Sequence, residues 1–512
     1  MQRLSFLPLL AVLACADKDT TDDTAGSPDD TGTDVSEDAA PGLEADVQMV
    51  EGAVGGELTV TFTITDEDPA GVTLDVTVED DSVASGAVAY TTWTGTGADY
   101  GSTTLTAVAT DSAGQTTTLT LPVEVFVQRD WSEPALLQST ASIVLGADMG
   151  ASPDGSTYLA AYGTAGNTIG LAMSVDVDGA DGWLESFVGQ QDQIGRGIAY
   201  DDLTGLAGFI SQDKDGGNQV ATLWGLDGGR AWSVQTNLVS SGYTAPYFID
   251  ARDGYMVMGG PFQDTSVGLK GSWASVVDAS TGTAVGTPFI FSAHDSADNS
   301  ISSVDLTADG NVLVGGYAQL DPDTFAEVGH YNAFVGVYEA GTETPLWSDW
   351  LVGDASIVIH DAEELSDGSI VVAGITRSAL EHAVVGEGDA FIRLYDADGA
   401  VAWTHQYGSA YDSMFRRVAE GHDGSIYVAG DFGYNDGQDG HLEVMKFSPD
   451  GTELWARSIE GDLSVRSRSI AFSGRDVIVT GIANGDVAEL NLSHQGSWDS
   501  FAVVMDVDGN LR

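Results

Sequence analysis

Seven copies of one strand frame, a second frame interleaved with it, and the absence of long helical periodicity predict an all-β chain. Its larger part is expected to be a seven-bladed β-propeller, preceded by a β-sandwich and an acidic tether. Glycine is abundant at 64 residues and recurs in Asp-Gly pairs, the composition of many short strands joined by tight turns.

In chain order, Met1-Gln2-Arg3 gives a short positive start, and Leu4 to Leu13 form an apolar run too short to span a membrane. The single cysteine, Cys15, excludes an internal disulfide. The Val12-Leu13-Ala14-Cys15 stretch resembles the lipobox of bacterial lipoprotein signal peptides. That resemblance implies a leader over residues 1–14, removed on export, and a lipid carried by Cys15. Ala16 rather than Asp follows the cysteine, which favours the outer membrane and leaves open the periplasmic or the surface side. The lipid would be the only contact with a membrane.

Residues 15–44 are almost wholly Asp, Thr, Ser, Gly and Ala. Such a segment buries too little apolar surface to offset the entropy of ordering, and its carboxylates repel one another. It is expected to be a disordered, extended acidic linker.

Residues 45–128 alternate apolar and Thr or Asp positions, as in Leu58-Thr59-Val60-Thr61-Phe62-Thr63-Ile64 and Val72-Thr73-Leu74-Asp75-Val76. Period two is the mark of half-buried strands, so a two-sheet sandwich is expected here, with Trp93 in its core. The segment Ala109-Thr110-Asp111-Ser112-Ala113-Gly114 before a last strand resembles the closing segment of cadherin-like and bacterial immunoglobulin-like modules. In cadherin-like modules acidic clusters bind calcium, so the resemblance makes Asp66, Glu67 and Asp68 the candidate metal ligands and calcium the one cofactor to consider.

Residues 129–512 carry the repeat. Its first frame is clearest in Asp367-Gly368 through Gly374 and Asp423-Gly424 through Gly430. The frame recurs with final positions at Ala161, Gly208, Gly260, Gly316 and Gly481. The second frame places a turn glycine at Gly179, Gly228, Gly282, Gly341, Gly399, Gly451 and Gly509. A tryptophan follows in most copies, at Trp183, Trp232, Trp347, Trp403 and Trp455. Each frame reads as a hairpin, and two hairpins per repeat of roughly 53 residues make a four-stranded sheet. The last repeat stops at its second turn, and a matching tryptophan strand stands at Trp131, so residues 131–138 are expected to complete that sheet and close the ring. These repeats resemble the bacterial seven-bladed propeller repeats of Asp-x-Asp-Gly, tryptophan strand and Asp-Gly-x-x-Tyr-Val-Ala-Gly type, a resemblance that implies fold and leaves function open.

With 78 acidic and 18 basic residues the net charge is −60, which excludes nucleic acid as a partner. The eight histidines show no metal-ligand spacing, and no nucleophile or phosphate-loop signature is present. The Asp-x-Asp-Gly stretches read as turns, because the Glu that closes a calcium loop is replaced by Phe187 and Tyr407. Short Asp-Gly turns should fall on one face of the disc and the longer connections 317–333, 375–389, 431–440 and 482–499 on the other. The long connections carry Tyr317, Phe325, Tyr331, Phe432, Tyr434 and Trp498, the candidate binding residues. The expectation is a non-enzymatic cell-envelope lipoprotein that binds a protein or glycan at the cell surface through this long-loop face. The alternative is a secreted polysaccharide hydrolase or lyase with carboxylates at the channel mouth.

Overall fold

The computed structural model describes residues 40–126, 135–137 and 145–512. Within them 54–56, 67, 69–70, 79–80, 88–89, 97–100, 153–155, 165–167, 176–180, 188–192, 216–217, 292–298, 325, 343, 436–438, 474 and 495–497 are excepted. Cys15, the leader, most of the tether, Trp131, Glu67, Phe325 and the side chain of Trp93 lie outside the described residues. The chain is all-β, with one short 3-10 turn at Ala488–Leu490 and no α-helix among the described residues. No helix there is long and apolar enough to cross a membrane.

Residues 42–126 form two sheets. Gly42–Ala45, Glu57–Thr65 and Tyr90–Thr96 make one; Val50–Ala53, Thr116–Phe126, Gly101–Thr110, Thr73–Val78 and Asp81–Ala87 make the other. The apolar half of each alternating pattern turns inward. Leu58, Val60, Phe62 and Ile64 from the first sheet share one buried cluster with Leu74, Val76, Leu105, Ala107 and Val123 from the second. The intervening Thr59 and Thr63 are exposed, as a period of two requires.

From residue 145 the chain repeats one four-stranded antiparallel unit. Residues 145–187, 299–351, 357–407 and 412–459 are each such a sheet, with strands in sequence order. Residues 193–291 contain two such runs, joined into one nine-stranded sheet because Gly242–Thr244 pairs with Asn218–Leu226 on one side and Tyr255–Asp264 on the other. The sheet over 464–505 takes its fourth strand from far upstream: Ala135–Leu137 pairs antiparallel with Asp499–Met505.

Neighbouring sheets are held by two devices. The first is burial. Each unit shares an apolar cluster with the next, and the last returns to the first, where Ile478, Ala502 and Val504 pack with Met149, Leu159 and Val175. Large side chains such as Phe391, Phe415 and Phe447 are fully buried there, each stabilising the fold by about 1.5–3 kcal/mol relative to exposure. The second device explains the tryptophan of the repeat. Trp232, Trp403 and Trp455 each donate Nε1–H to a backbone carbonyl in the turn of the next unit, those of Ala279, Pro449 and Val507, at 2.9–3.0 Å. Their rings lie where a Cβ on the turn glycine would be, at Gly282, Gly451 and Gly509. At Gly282 a φ of 69° adds a conformational reason for glycine. Where residues 284–291 lack the tryptophan, backbone meets backbone instead, with Gly286 against Gly341.

Candidate ligand-binding channel

The first strands of the units are Leu145–Ala151, Gln193–Asp201, Phe248–Arg252, Asn299–Leu306, Ile357–Glu364, Asp412–Glu420 and Ser464–Ser473. All seven contribute to the wall of one cavity of about 480 Å³. A first strand has one edge without a strand partner, so its backbone groups need side chains or water.

Carboxylates meet that need on the side of the Asp-Gly turns. Asp250 accepts the Leu306 N–H at 2.9 Å, Asp305 the Glu364 N–H at 2.9 Å, and Glu363 the Glu420 N–H at 3.3 Å. One step deeper, Asp361 accepts the Val418 N–H at 3.0 Å and the Ser303 hydroxyl at 2.8 Å. Asp148 accepts from the Ser469 hydroxyl at 3.0 Å, tying the first unit to the last. Glu364 and Glu420 accept from loop amides at Ala308 and Ser366, and Arg252 pairs with Glu364 at 3.2 Å. Crowding so many acids out of bulk water disfavours their ionised forms. Burial pushes Asp148 up to about 6. Burial and the nearby Asp361 push Glu363 up to about 8, and burial with Asp250 raises Asp305 well above the usual range. These carboxylates are inter-sheet staples, and burial favours the protonated form of Asp148, Asp305, Asp361 and Glu363 among them.

The other end of the channel is built differently. The final glycine of the first frame sits opposite a β-bulge in the first strand. Ile359 pairs with Gly374 and Asp361 with Ala373, leaving His360 as the extra residue; in the same way Arg416 is extra opposite Gly430. Ser302 and Arg468 occupy the equivalent bulges, and Arg196 stands at another between Gly195 and Gly197. A Cβ on Gly374 or Gly430 would collide with the carbonyl of Val358 or Met414, so these two bulges are built around glycine, whereas the first unit sets Ala161 opposite its bulge between Gly146 and Asp148. The bulge in turn re-aims one side chain into the channel.

A second cavity of about 420 Å³ opens here, and Tyr317 and Tyr331 in its wall mark it as the long-loop side. Ser302, His360, Arg416, Arg417 and Arg468 also line it, and no carboxylate among the described residues does. The Arg416 Nε lies 2.7 Å from the buried Asp431, whose other oxygen accepts the Ser467 N–H at 2.8 Å. Burial and the two guanidinium groups of Arg416 and Arg417 push His360 down to about 3, so its ring is neutral and the local potential positive.

The expected binding residues fall into three places. Tyr317 and Tyr331 meet edge to face with ring centroids 4.9 Å apart at the cavity wall. Tyr434 and Trp498 come together around a residue the sequence reading passed over: the Arg466 guanidinium lies 4.2 Å from the first ring centre and 4.8 Å from the second. Phe432 packs toward the core against Phe415 at 5.6 Å. The paired basics in Phe415-Arg416-Arg417 and Arg466-Ser467-Arg468 were the available signal, since both fall in first strands of a chain with 18 basic residues in all. In the sandwich, the Asp66 Oδ1 accepts the Asp68 N–H at 2.8 Å, and no group of three or more potential metal ligands occurs among the described residues.

A family model described as a domain of unknown function, a beta-propeller, matches residues 422–452, within the clearest repeats. The chain is thus an all-β protein with a β-propeller. A search of curated proteins found no match. Among solved structures, the chain is similar to fibronectin(III)-like modules of Clostridium thermocellum CbhA, at 26% identity over 17% of this chain and 97% of that one, with a TM-score of 0.16. It is also similar to the extracellular domain of a putative one-component system from B. thetaiotaomicron, at 9% identity over 91% of this chain, with a TM-score of 0.24. The chain spans 66% of that domain's length. A Synechocystis apocarotenoid oxygenase mutant is similar at 11% identity, over 86% of this chain and 93% of that one, with a TM-score of 0.34.

Proposed function

We propose that this chain is an exported, lipid-anchored cell-envelope protein whose seven-bladed propeller binds a protein or glycan through the long-loop face. In this reading residues 1–14 are the leader, Cys15 carries the lipid, and the tether ends at residue 41 rather than 44, because Gly42–Ala45 already pair in the first sheet and Leu43 is buried in its core, so the immunoglobulin-like sandwich that serves as spacer begins at residue 42. Residues 129–512 are the propeller, with 131–138 as its closing strand. The observation that carries the binding assignment is the asymmetry of the channel. On the turn side the polar groups are consumed by inter-sheet hydrogen bonds, whereas on the long-loop side aromatic and cationic groups surround an open cavity.

Residues 487–492 of the long connection are part of the fold, because Val487, Leu490 and Leu492 are buried in the core. The test therefore replaces 433–440 with a short turn and, separately, combines Tyr317→Ala with Tyr331→Ala. Full-length protein and both variants are applied to a glycan array and to intact cells. Binding that drops at least tenfold in either variant, with an unchanged unfolding midpoint, supports the face. Full binding in both would sink it.

A further inference from the structure

We infer that the connection over residues 380–388 is a proton-operated latch. It is closed onto the strand Val401–Tyr407 while the His382 ring carries two N–H groups, and released when the ring carries one. Both ring nitrogens of His382 face backbone carbonyl oxygens. Nδ1 lies 2.9 Å from the Ala383 oxygen, and Nε2 lies 2.9 Å from the Gln406 oxygen. A carbonyl oxygen only accepts, so each contact needs an N–H, and a neutral imidazole has one. The geometry is that of an imidazolium. A neutral ring would set a nitrogen lone pair against a carbonyl oxygen, and one of the two contacts would open.

The other pins of this segment gather at Gln406. Its side-chain oxygen accepts the Leu380 and Glu381 N–H groups at 3.0 and 3.2 Å, and its backbone N–H donates to the Glu381 Oε2 at 3.0 Å. Its Nε2 donates to the buried Asp389 at 2.8 Å, and Asp389 also accepts the Val385 N–H. His382 adds the Gln406 carbonyl to this set, so losing that contact loosens the joint that holds Leu380, Glu381 and Val385. The exposed Val385 stands over Gly408, where a Cβ would lie 2.6 Å from its own. The latch therefore also sets how this apolar side chain is presented.

The charged neighbours are few. Glu381 and Asp389 face the ring from its own segment. From the strand Val401–Tyr407, the His405 Nδ1 lies 3.7 Å from the Glu381 Oε1, and its Nε2 lies 2.7 Å from the Gly451 oxygen. Tyr407 also neighbours Glu381 and donates its hydroxyl to Glu453 of the next unit at 3.1 Å. The Ala383 and Gln406 carbonyls, opposed by burial and helped by Asp389 and Glu381, hold His382 above its ordinary 6.5. The latch is thus closed below 6.5 and opens as pH rises through the higher folded value. The ring is exposed, so the effect is a local opening and not global unfolding.

The test is hydrogen–deuterium exchange of the full chain at about pH 5.5 and about pH 8.5, corrected for intrinsic exchange. Protection over 380–388 should fall severalfold at the higher pH, and the buried strand Ile370–Thr376 reports any global change separately. His382→Gln, which does not titrate, should abolish the pH dependence of 380–388. His382→Arg, a permanent cation with several donors, should keep the segment protected at both pH values. Ring NMR of the full chain should show one imidazole, absent in His382→Gln, that titrates above 6.5. A His382 signal titrating at or below 6.5 overturns the latch. Undiminished pH dependence in His382→Gln overturns it too, as does equal protection of 380–388 at both pH values in the unsubstituted chain.

Discussion

The two ends of the channel are made from the same seven strands and both carry charge, yet the charge is used differently. On the turn side, Asp250, Asp305, Asp361 and Glu363 accept backbone N–H groups from the next strand. On the long-loop side, bulges carry Arg416, Arg468 and His360 out of the ladder and into open space. Counting charges would rank the acidic end as the more interesting. Following each hydrogen bond separates the two: the carboxylates satisfy unpaired strand edges directly, whereas Arg416 stands on a bulge and supports such an edge only through Asp431, which accepts the Ser467 N–H.

The largest expected effect comes from breaking the device that separates the two ends. Gly430→Ala places a methyl against the Met414 carbonyl and about 3.0 Å from the Phe415 Cα. Either the bulge flattens, withdrawing Arg416 from the cavity, or the ladder opens. Overpacking of this kind costs about 3 kcal/mol, read as a lower urea midpoint with an unchanged m-value. Wild-type stability in that variant would mean the glycine is not what sets the bulge.

A smaller effect sharpens the acidic end. Glu363 titrates near 8 in the folded protein against an ordinary 4.5, so between those values the folded chain holds a proton that the unfolded chain has lost. Stability contributed by this site therefore falls as pH rises from about 4.5 to 8 and is fully lost above it. Glu363→Gln keeps an acceptor for the Glu420 N–H and removes the titration. The variant should match wild type near pH 4.5 and be more stable at pH 8.5, by on the order of 2 kcal/mol once channel water is allowed for. Urea midpoints at the two pH values check it, and an identical difference at both would contradict the shift.

How much of this was legible in the sequence follows the same division. The strand frames were readable because turns demand glycine and strands alternate, so Gly374, Gly430 and the tryptophans stood out by spacing alone. Their reasons were not readable. The glycine answers to a bulge in a strand 14 or more residues upstream, and Trp403 answers to Gly451 in the next unit, both non-local contacts. Tyr317, Tyr331, Phe432 and Tyr434 drew attention as loop aromatics, yet they lie in the strands Val312–Leu320, Glu327–Tyr338 and Ile426–Asn435, which run on past the expected loop boundaries; Tyr317 and Tyr331 stand in the cavity wall, and Tyr434 with Trp498 stands around Arg466. The arginines went unnoticed because the facing of Arg416 and Arg468 depends on a bulge that no local pattern announces. The carboxylate staples were invisible among 78 acids.

The smallest effect concerns the rim, where the arginine end meets the loops. Arg466 lies over both Tyr434 and Trp498, and its Nε donates to the Ser464 hydroxyl at 3.4 Å. A cation between two rings at a partly exposed site contributes about 1 kcal/mol. Arg466→Gln should lower stability by about that amount and change the indole emission of Trp498, a change that vanishes when the comparison is repeated in a Trp498→Phe background. If the arginine only fills space, Arg466→Met would restore both stability and emission. If its charge organises the rim, Arg466→Met fails and Arg466→Lys recovers part of each, which extends the cationic character of this end from the cavity wall to the loops above it.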